Sequence, residues 1–427
     1  MSVKIKSLEL KSFKCFEDFS IDFTRTDGSI YQWTVLLGNN NTGKTNLLKA
    51  VADLRPVKAS GLAPVDVVVN YKGIGTIPKN CWVPSFLESS TDREVGLFRV
   101  SSVLVSGSIE KEWRYATSMT MPDDQEQEVD SPILFSDVFS LDEFPCFSIY
   151  GYGVSRYPAK TSLAESKCED CATLFSQDQR LLNIEEWLMQ LDYAKQKDGD
   201  KSERAGKILA KIKEQVFGKV LPEVMDFRAG TSESLSNYIE FETKDGWFRY
   251  NQLGYGYQSM LSWVIDLCKR LFDRYENLDN PLAGDAIVLV DEIDLHLHPQ
   301  WQREVIQRLS DVFPNTQFIV TTHSPLVLQS MSDVNLYTLT RREQKVSVER
   351  HPRNSFVGWT VEEILGEVMH LEEDVHSDTY QRQMALFDEG LDEENLAKAK
   401  AAYDELMKIL HPNNPVRRML EFQLPKV

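Results

Sequence analysis

The sequence predicts an α/β fold with a parallel or mixed core sheet, an antiparallel β lobe, a short helical insert and a helical C-terminal region. Three stretches of the 427-residue chain carry that expectation. Gly38-Asn39-Asn40-Asn41-Thr42-Gly43-Lys44-Thr45 fits the phosphate-loop pattern G-x-x-x-x-G-K-[ST] without a mismatch. It lies between an apolar run, Trp33 to Leu37, and a helical pattern opening at Asn46. Ala286 to Val290 and Gln317 to Val320 are continuous apolar runs, each leading into polar residues, as strands buried on both faces of a parallel sheet require.

Taken in order, Val3, Ile5, Leu8, Leu10, Phe13 and Phe16, then Phe19 to Phe23, alternate as two opening strands, and the phosphate loop follows the third. From Pro56 to about Asp142 the chain is rich in Val, Ser, Gly and Pro, with a strand pattern at Phe98 to Val105, and reads as the β lobe. Phe147 to Arg156 reads as a core strand ending in a glycine turn that carries an arginine, beside a phosphate or otherwise solvated or carboxylate-paired. Leu174 to Leu221 has helical periodicity, broken at Lys197 to Asp200 into a hairpin. Tyr238 to Phe241 and Trp247 to Tyr250 flank a turn at Lys244-Asp245-Gly246. Trp301 to Val312 supplies a helix between the two buried strands, a last strand pair follows near Val346, and the chain is helical and acidic from Thr360. The expected divisions are 1–160, 161–235 (helical insert), 236–350 and 351–427 (helical C-terminal region).

Lys and Arg number 47 against 65 Asp and Glu, a formal charge of −18, which excludes a globally basic nucleic-acid binder. Only a local basic patch is left, and Arg204, Lys207 and Lys211 share one helix face that is either solvated or a contact for DNA or an acidic partner. The sequence has no run of eighteen apolar residues and no signal-peptide core, so a cytoplasmic protein with no membrane partner is expected. Six scattered cysteines read as reduced thiols, and Cys168-x-x-Cys171 lacks the second pair of a zinc site.

The chemistry follows from residue types. Glycines let the loop backbone close on phosphates, the following helix presents its positive end, Lys44 reaches the β and γ phosphates, and Thr45 ligates Mg²⁺. Asp291 at the end of an apolar strand would hold the Mg²⁺ shell and Glu292 would activate water, their alternation on the strand end turning one to the metal and the other to the water. His323, ending the next strand, can donate to the γ-phosphate. His296 and His298, spaced by two before a proline, make a weak metal pair. ATP and Mg²⁺ are the expected ligands.

In the order of these motifs the chain resembles ABC-type ATPases of the SMC, RecF and overcoming-lysogenization-defect (OLD) group, over about residues 1–55 and 145–345. Leu253-Gly254-Tyr255-Gly256-Tyr257-Gln258-Ser259-Met260 stands where that group has its signature, with Gly254 in place of the usual serine. The resemblance implies that Gly254, Gly256 and Ser259, at the start of a helix from about Tyr257 to Phe272, close over ATP held by a second copy, giving a homodimer or higher oligomer. In its compact insert, its Gly151 to Arg156 turn and its acidic C-terminus, the chain is similar to PtuA-like ATPase subunits of Septu-type and retron-associated anti-phage systems. That likeness implies a sensor and regulator of a separate HNH-type nuclease. A RecF-like ATPase that clamps DNA directly in repair is the alternative.

Overall fold

The structure, a computed structural model, describes residues 3–58, 66–68, 74–76, 81–84, 99–106, 109–120, 126–135, 139–140, 148–160, 170–197, 199–221, 223–233, 235–342, 345–370 and 377–424. Contacts divide the chain into one compact unit, Met1–Trp359, and a second, Thr360–Val427.

The core of the first unit is a six-stranded sheet in the order Ile149–Tyr152, Ala286–Val290, Thr316–Thr322, Trp33–Gly38, Asn335–Arg342, Lys345–Arg350. All neighbours are parallel except the last pair. Parallel strands covered on both faces have no solvent side, which is why Ala286–Val290 and Thr316–Thr322 are buried at every position. Trp33 and Phe318 stack across neighbouring strands with ring centroids 4.2 Å apart. The helix after the phosphate loop, Lys44–Asp53, buries Leu47, Leu48 and Val51 among Leu36, Ile149, Leu289 and Ile319. Burying those three side chains contributes roughly 5–9 kcal/mol, which fixes the helix N-terminus over the sheet's carboxyl edge.

The β lobe is a seven-stranded sheet that also takes in the two opening strands, Val3–Phe13 and Phe16–Asp22. Its pairings are antiparallel apart from Leu134–Phe135 beside Val67–Val68. Buried Gln317 ties lobe to core: its amide donates to Ile5 O and its oxygen accepts from Ile5 N, both at 2.9 Å.

The insert contains the expected hairpin, Ile184–Lys195 and Asp200–Lys211, the second helix running on as a wide-turn segment, Ile212–Val220. The stretch 161–235 is not helical throughout. Val224–Thr231 forms a strand that joins Asn237–Thr243 and Gly246–Arg249 in a three-stranded antiparallel sheet. Period-two burial decides this, because Phe227, Ile239 and Phe241 must share one face, where Phe227 and Phe241 meet Phe217 edge-on at 6.1 and 6.3 Å. Cys168 lies outside the described residues.

The second unit is helical. Asp378–Asp392, Leu396–Ile409 and Pro415–Gln423 are capped by the Ser377, Asn395 and Asn414 side chains and enclose Phe387, Ala399, Ala402, Leu406 and Leu420. Gly390 sits where an added Cβ would come within 2.6 Å of Ala399 N, which sets how closely the first two helices approach.

Candidate nucleotide-binding site

The phosphate loop leaves Trp33–Gly38 through backbone that side chains resist. Asn41 and Gly43 lie at φ +64° and +90°, and a Cβ on Gly43 would sit 2.5 Å from Cys15 Sγ. A Cβ on Gly38 would meet Leu339 O at 2.4 Å. Thr42 Oγ1 donates to Asn39 O at 2.8 Å, folding the loop onto itself, while Asn39, Asn40 and Asn41 face solvent. Gly43 caps the helix with no side-chain bond, so the first-turn N–H groups are not satisfied by a cap and are available to an anion. Lys44 Nζ donates to Gly38 O and Asn39 O at 2.8 and 2.9 Å. Burial lowers its pKa, and the charges of Asp291, Glu292 and Asp294 partly counter that.

The loop strand and the Asp-Glu strand are not neighbours, because Thr316–Thr322 runs between them. Its Thr321 is the bridge: Oγ1 donates to Asp291 Oδ1 at 2.7 Å and accepts from Glu292 N at 2.7 Å. The other Asp291 oxygen, Oδ2, accepts from Thr45 Oγ1 at 2.7 Å. A threonine hydroxyl and a carboxylate converging from distant segments form a hard oxygen pair suited to Mg²⁺. Together with the uncapped helix start and the cradle that a Cβ would fill, they fit a magnesium–nucleotide ligand.

The strand ends at Val290, so Asp291 and Glu292 do not alternate as strand residues. Glu292 instead takes φ +49°, a left-handed backbone conformation. The next residues form a tight turn in which Thr322 Oγ1 donates to Asp294, and Ser324 Oγ donates to Gln302 Oε1 at 2.7 Å. His323 is half-buried, and burial followed by the Lys44 charge lowers its pKa, so the ring is neutral at pH 7.

Arg156 is 2% exposed and, among the described residues, makes no ion pair or hydrogen bond with a carboxylate. Its Nη2 donates to the backbone oxygens of Asp291 and Glu292, at 3.1 and 2.6 Å. It is therefore neither solvated nor carboxylate-paired.

Gly254 caps the helix Tyr255–Arg274, which begins two residues earlier than expected. A Cβ on Gly256 would lie 2.6 Å from His296 O, so the signature segment packs directly on the turn after Glu292. Tyr255 lies over His296 at 5.9 Å, and Tyr257 meets Trp301 edge-on at 4.6 Å. These residues line an open cavity of about 640 Å³. Among the described residues, no hydrogen bond, ion pair or ring contact joins Gly254, Gly256 or Ser259 to the phosphate loop. His298 Nδ1 accepts from Gln300 N as a helix cap, and no metal cluster occurs among the described residues. Two of the three residues on the basic face are ion-paired: Arg204 with Glu276 at 2.8 Å and Lys207 with Glu203 at 2.6 Å.

Sequence reasoning missed Thr321. A hydroxyl ending an apolar strand was the available signal, but its partners lie 29 and 30 residues away. Among the described residues, no helix is long and apolar enough to cross a membrane.

Residues 3–55 match a family described as "AAA ATPase domain", and 176–329 match "AAA domain, putative AbiEii toxin, Type IV TA system". The chain is 36% identical over 219 residues to Septu protein PtuA of Bacillus thuringiensis, covering 50% of this chain and 54% of that protein. It is 26% identical over 364 residues to Septu protein PtuA of Bacillus mycoides, covering 84% of this chain and 44% of the other. With "Retron Ec83 probable ATPase" of Escherichia coli, identity is 42% over 113 residues, 26% of this chain and 21% of that protein. The chain thus spans about half the length of the PtuA relatives it matches. The two domain matches and these relatives make the chain similar to AAA-type ATPase domains, to PtuA proteins and to a retron ATPase.

Proposed function

We propose that the protein binds and hydrolyses ATP as the regulatory subunit of an anti-phage defence complex, holding or releasing a separate HNH-type nuclease as its heads dimerise and part. The observation that carries the ATPase reading is the 2.7 Å contact between Thr45 Oγ1 and Asp291 Oδ2, which joins two motifs 246 residues apart at one point. Mg²⁺ held there would polarise the phosphoryl oxygens. The chain's own groups do the rest. Lys44 exchanges its loop carbonyls for phosphate oxygens, the helix start receives the phosphate charge, Glu292 accepts a proton from the attacking water, and neutral His323 donates to the γ-phosphate. Among the described residues, no hydrogen bond, ion pair or ring contact joins Gly254, Gly256 or Ser259 to this chain's loop, which is consistent with completion of the site by a second copy.

The likeness to PtuA proteins and a retron ATPase supports the defence role, and the nuclease partner is the further part of the proposal. The test is Glu292→Gln with ATP and Mg²⁺, followed by mass measurement and recovery of co-purifying protein. A trapped ATP-bound assembly carrying a nuclease is the expected result. ATP turnover independent of protein concentration, or DNA cleavage by this chain alone, would overturn the proposal.

A further inference from the structure

We infer that Arg156 is a positioning residue for ATP hydrolysis: with Thr321 it clamps Glu292 at both ends of its backbone and holds it in its left-handed conformation. The inference rests on the ATPase reading above and adds a role for a residue outside the loop, the Asp-Glu strand and the signature. Glutamate disfavours φ +49°, so the residue stays there only where its surroundings over-determine it. Two bonds do this. Thr321 Oγ1 accepts from Glu292 N at 2.7 Å, and Arg156 Nη2 donates to Glu292 O at 2.6 Å.

A second bond from Nη2, to Asp291 O at 3.1 Å, fixes the preceding residue as well. The arginine is costly where it sits. Burial lowers its pKa to about 10 despite the nearby charges of Asp291, Asp294 and Glu292, and its Nε and Nη1 have no hydrogen-bond partner among the described residues. A side chain retained only for packing would not need a charge in that place.

Its support is rigid. Tyr152 O accepts from Asp291 N at 2.8 Å, and Gly151 N donates to Asp170 O at 2.8 Å. A Cβ on Gly153 would lie 2.1 Å from Thr173 O, so the turn is wedged against its neighbour. Arg156, Glu292, Thr321, Asp291 and Thr45 are therefore one continuous hydrogen-bonded chain ending at the proposed Mg²⁺ ligands.

The experiment compares wild type, Arg156→Met, Arg156→Lys and Arg156→Ala for kcat, KM, affinity for a fluorescent ATP analogue, and Tm. Arg156→Met is expected to lose about 100-fold in kcat with KM and nucleotide affinity within about threefold, since misplacing a catalytic group costs rate more than binding. Arg156→Lys, which keeps a charged donor, should recover about tenfold of that loss. Millimolar guanidinium should restore turnover to Arg156→Ala saturably, with equal ionic strength of NaCl as the control. Wild-type kcat in Arg156→Met would overturn the inference, as would loss of rate, nucleotide affinity and Tm together with neither Lys nor guanidinium rescue. Those results leave the ATPase reading standing while wild type turns over and Glu292→Gln traps ATP. Absence of ATP binding and turnover in wild type would overturn both.

Discussion

Replacing Thr321 by Val exchanges one hydroxyl for a methyl of nearly the same shape at a fully buried position, so its effect reports hydrogen bonding rather than a cavity. The hydroxyl makes a charge-assisted bond to Asp291 Oδ1 and is the acceptor of Glu292 N, both at 2.7 Å. Losing the first costs about 1.5–3 kcal/mol, and leaving the Glu292 N–H without a partner costs about 1–3 kcal/mol. The two losses share one atom, so a total of about 2–4 kcal/mol is expected. Large domains move by about 2 °C or less per kcal/mol, which makes the expected fall in Tm at most about 4–8 °C by calorimetry. Asp291 and Glu292 both lose an anchor, so kcat in a coupled phosphate-release assay should fall about 100-fold while KM changes less. Thr321→Ser keeps the hydroxyl and should stay within about fivefold of wild-type kcat, losing only a methyl's burial. A Val variant with wild-type Tm and kcat, or a Ser variant as impaired as Val, would refute the reasoning.

Glu292→Gln keeps shape and removes the base, so turnover should drop by about 10²–10⁴ while bound ATP, measured by chromatography of denatured protein, persists. The folded pKa of His323 lies below its ordinary 6.5, so the unfolded chain binds the extra proton first as pH falls. Stability should be undiminished above about pH 6.5 and decline below it, and thermal melts across that range should show a shallower slope in His323→Gln. Gly256→Ala places a Cβ 2.6 Å from His296 O, forcing signature and turn apart; a loss of about 1–3 kcal/mol in denaturant melts is expected, with reduced turnover. Arg204→Ala breaks an exposed pair with Glu276 and should change stability by less than about 1 kcal/mol in denaturant melts.

Local pattern was enough to locate the nucleotide loop, the Asp-Glu strand and the histidine after the next strand, because glycine conformation, helix polarity and two-sided burial act within a few residues. The helical hairpin and the acidic C-terminal helices were legible in the same way. Val224–Thr231 was not: its alternation is short, and Phe227 reads as strand only when Phe217 and Phe241 are there to pack against it.

By itself, then, the sequence determined which residue types are proposed to meet phosphate, metal and water, since those demands are chemical and local. The tertiary structure alone decided that a third strand separates loop from carboxylates, that its Thr321 joins them, that Glu292 turns left-handed, and that Arg156 donates to the backbone oxygens of Asp291 and Glu292. The physical reason is range: bonds of 2.6 to 3.1 Å link positions 29 to 246 residues apart, and no periodicity in the chain encodes which distant groups the packed sheet brings together.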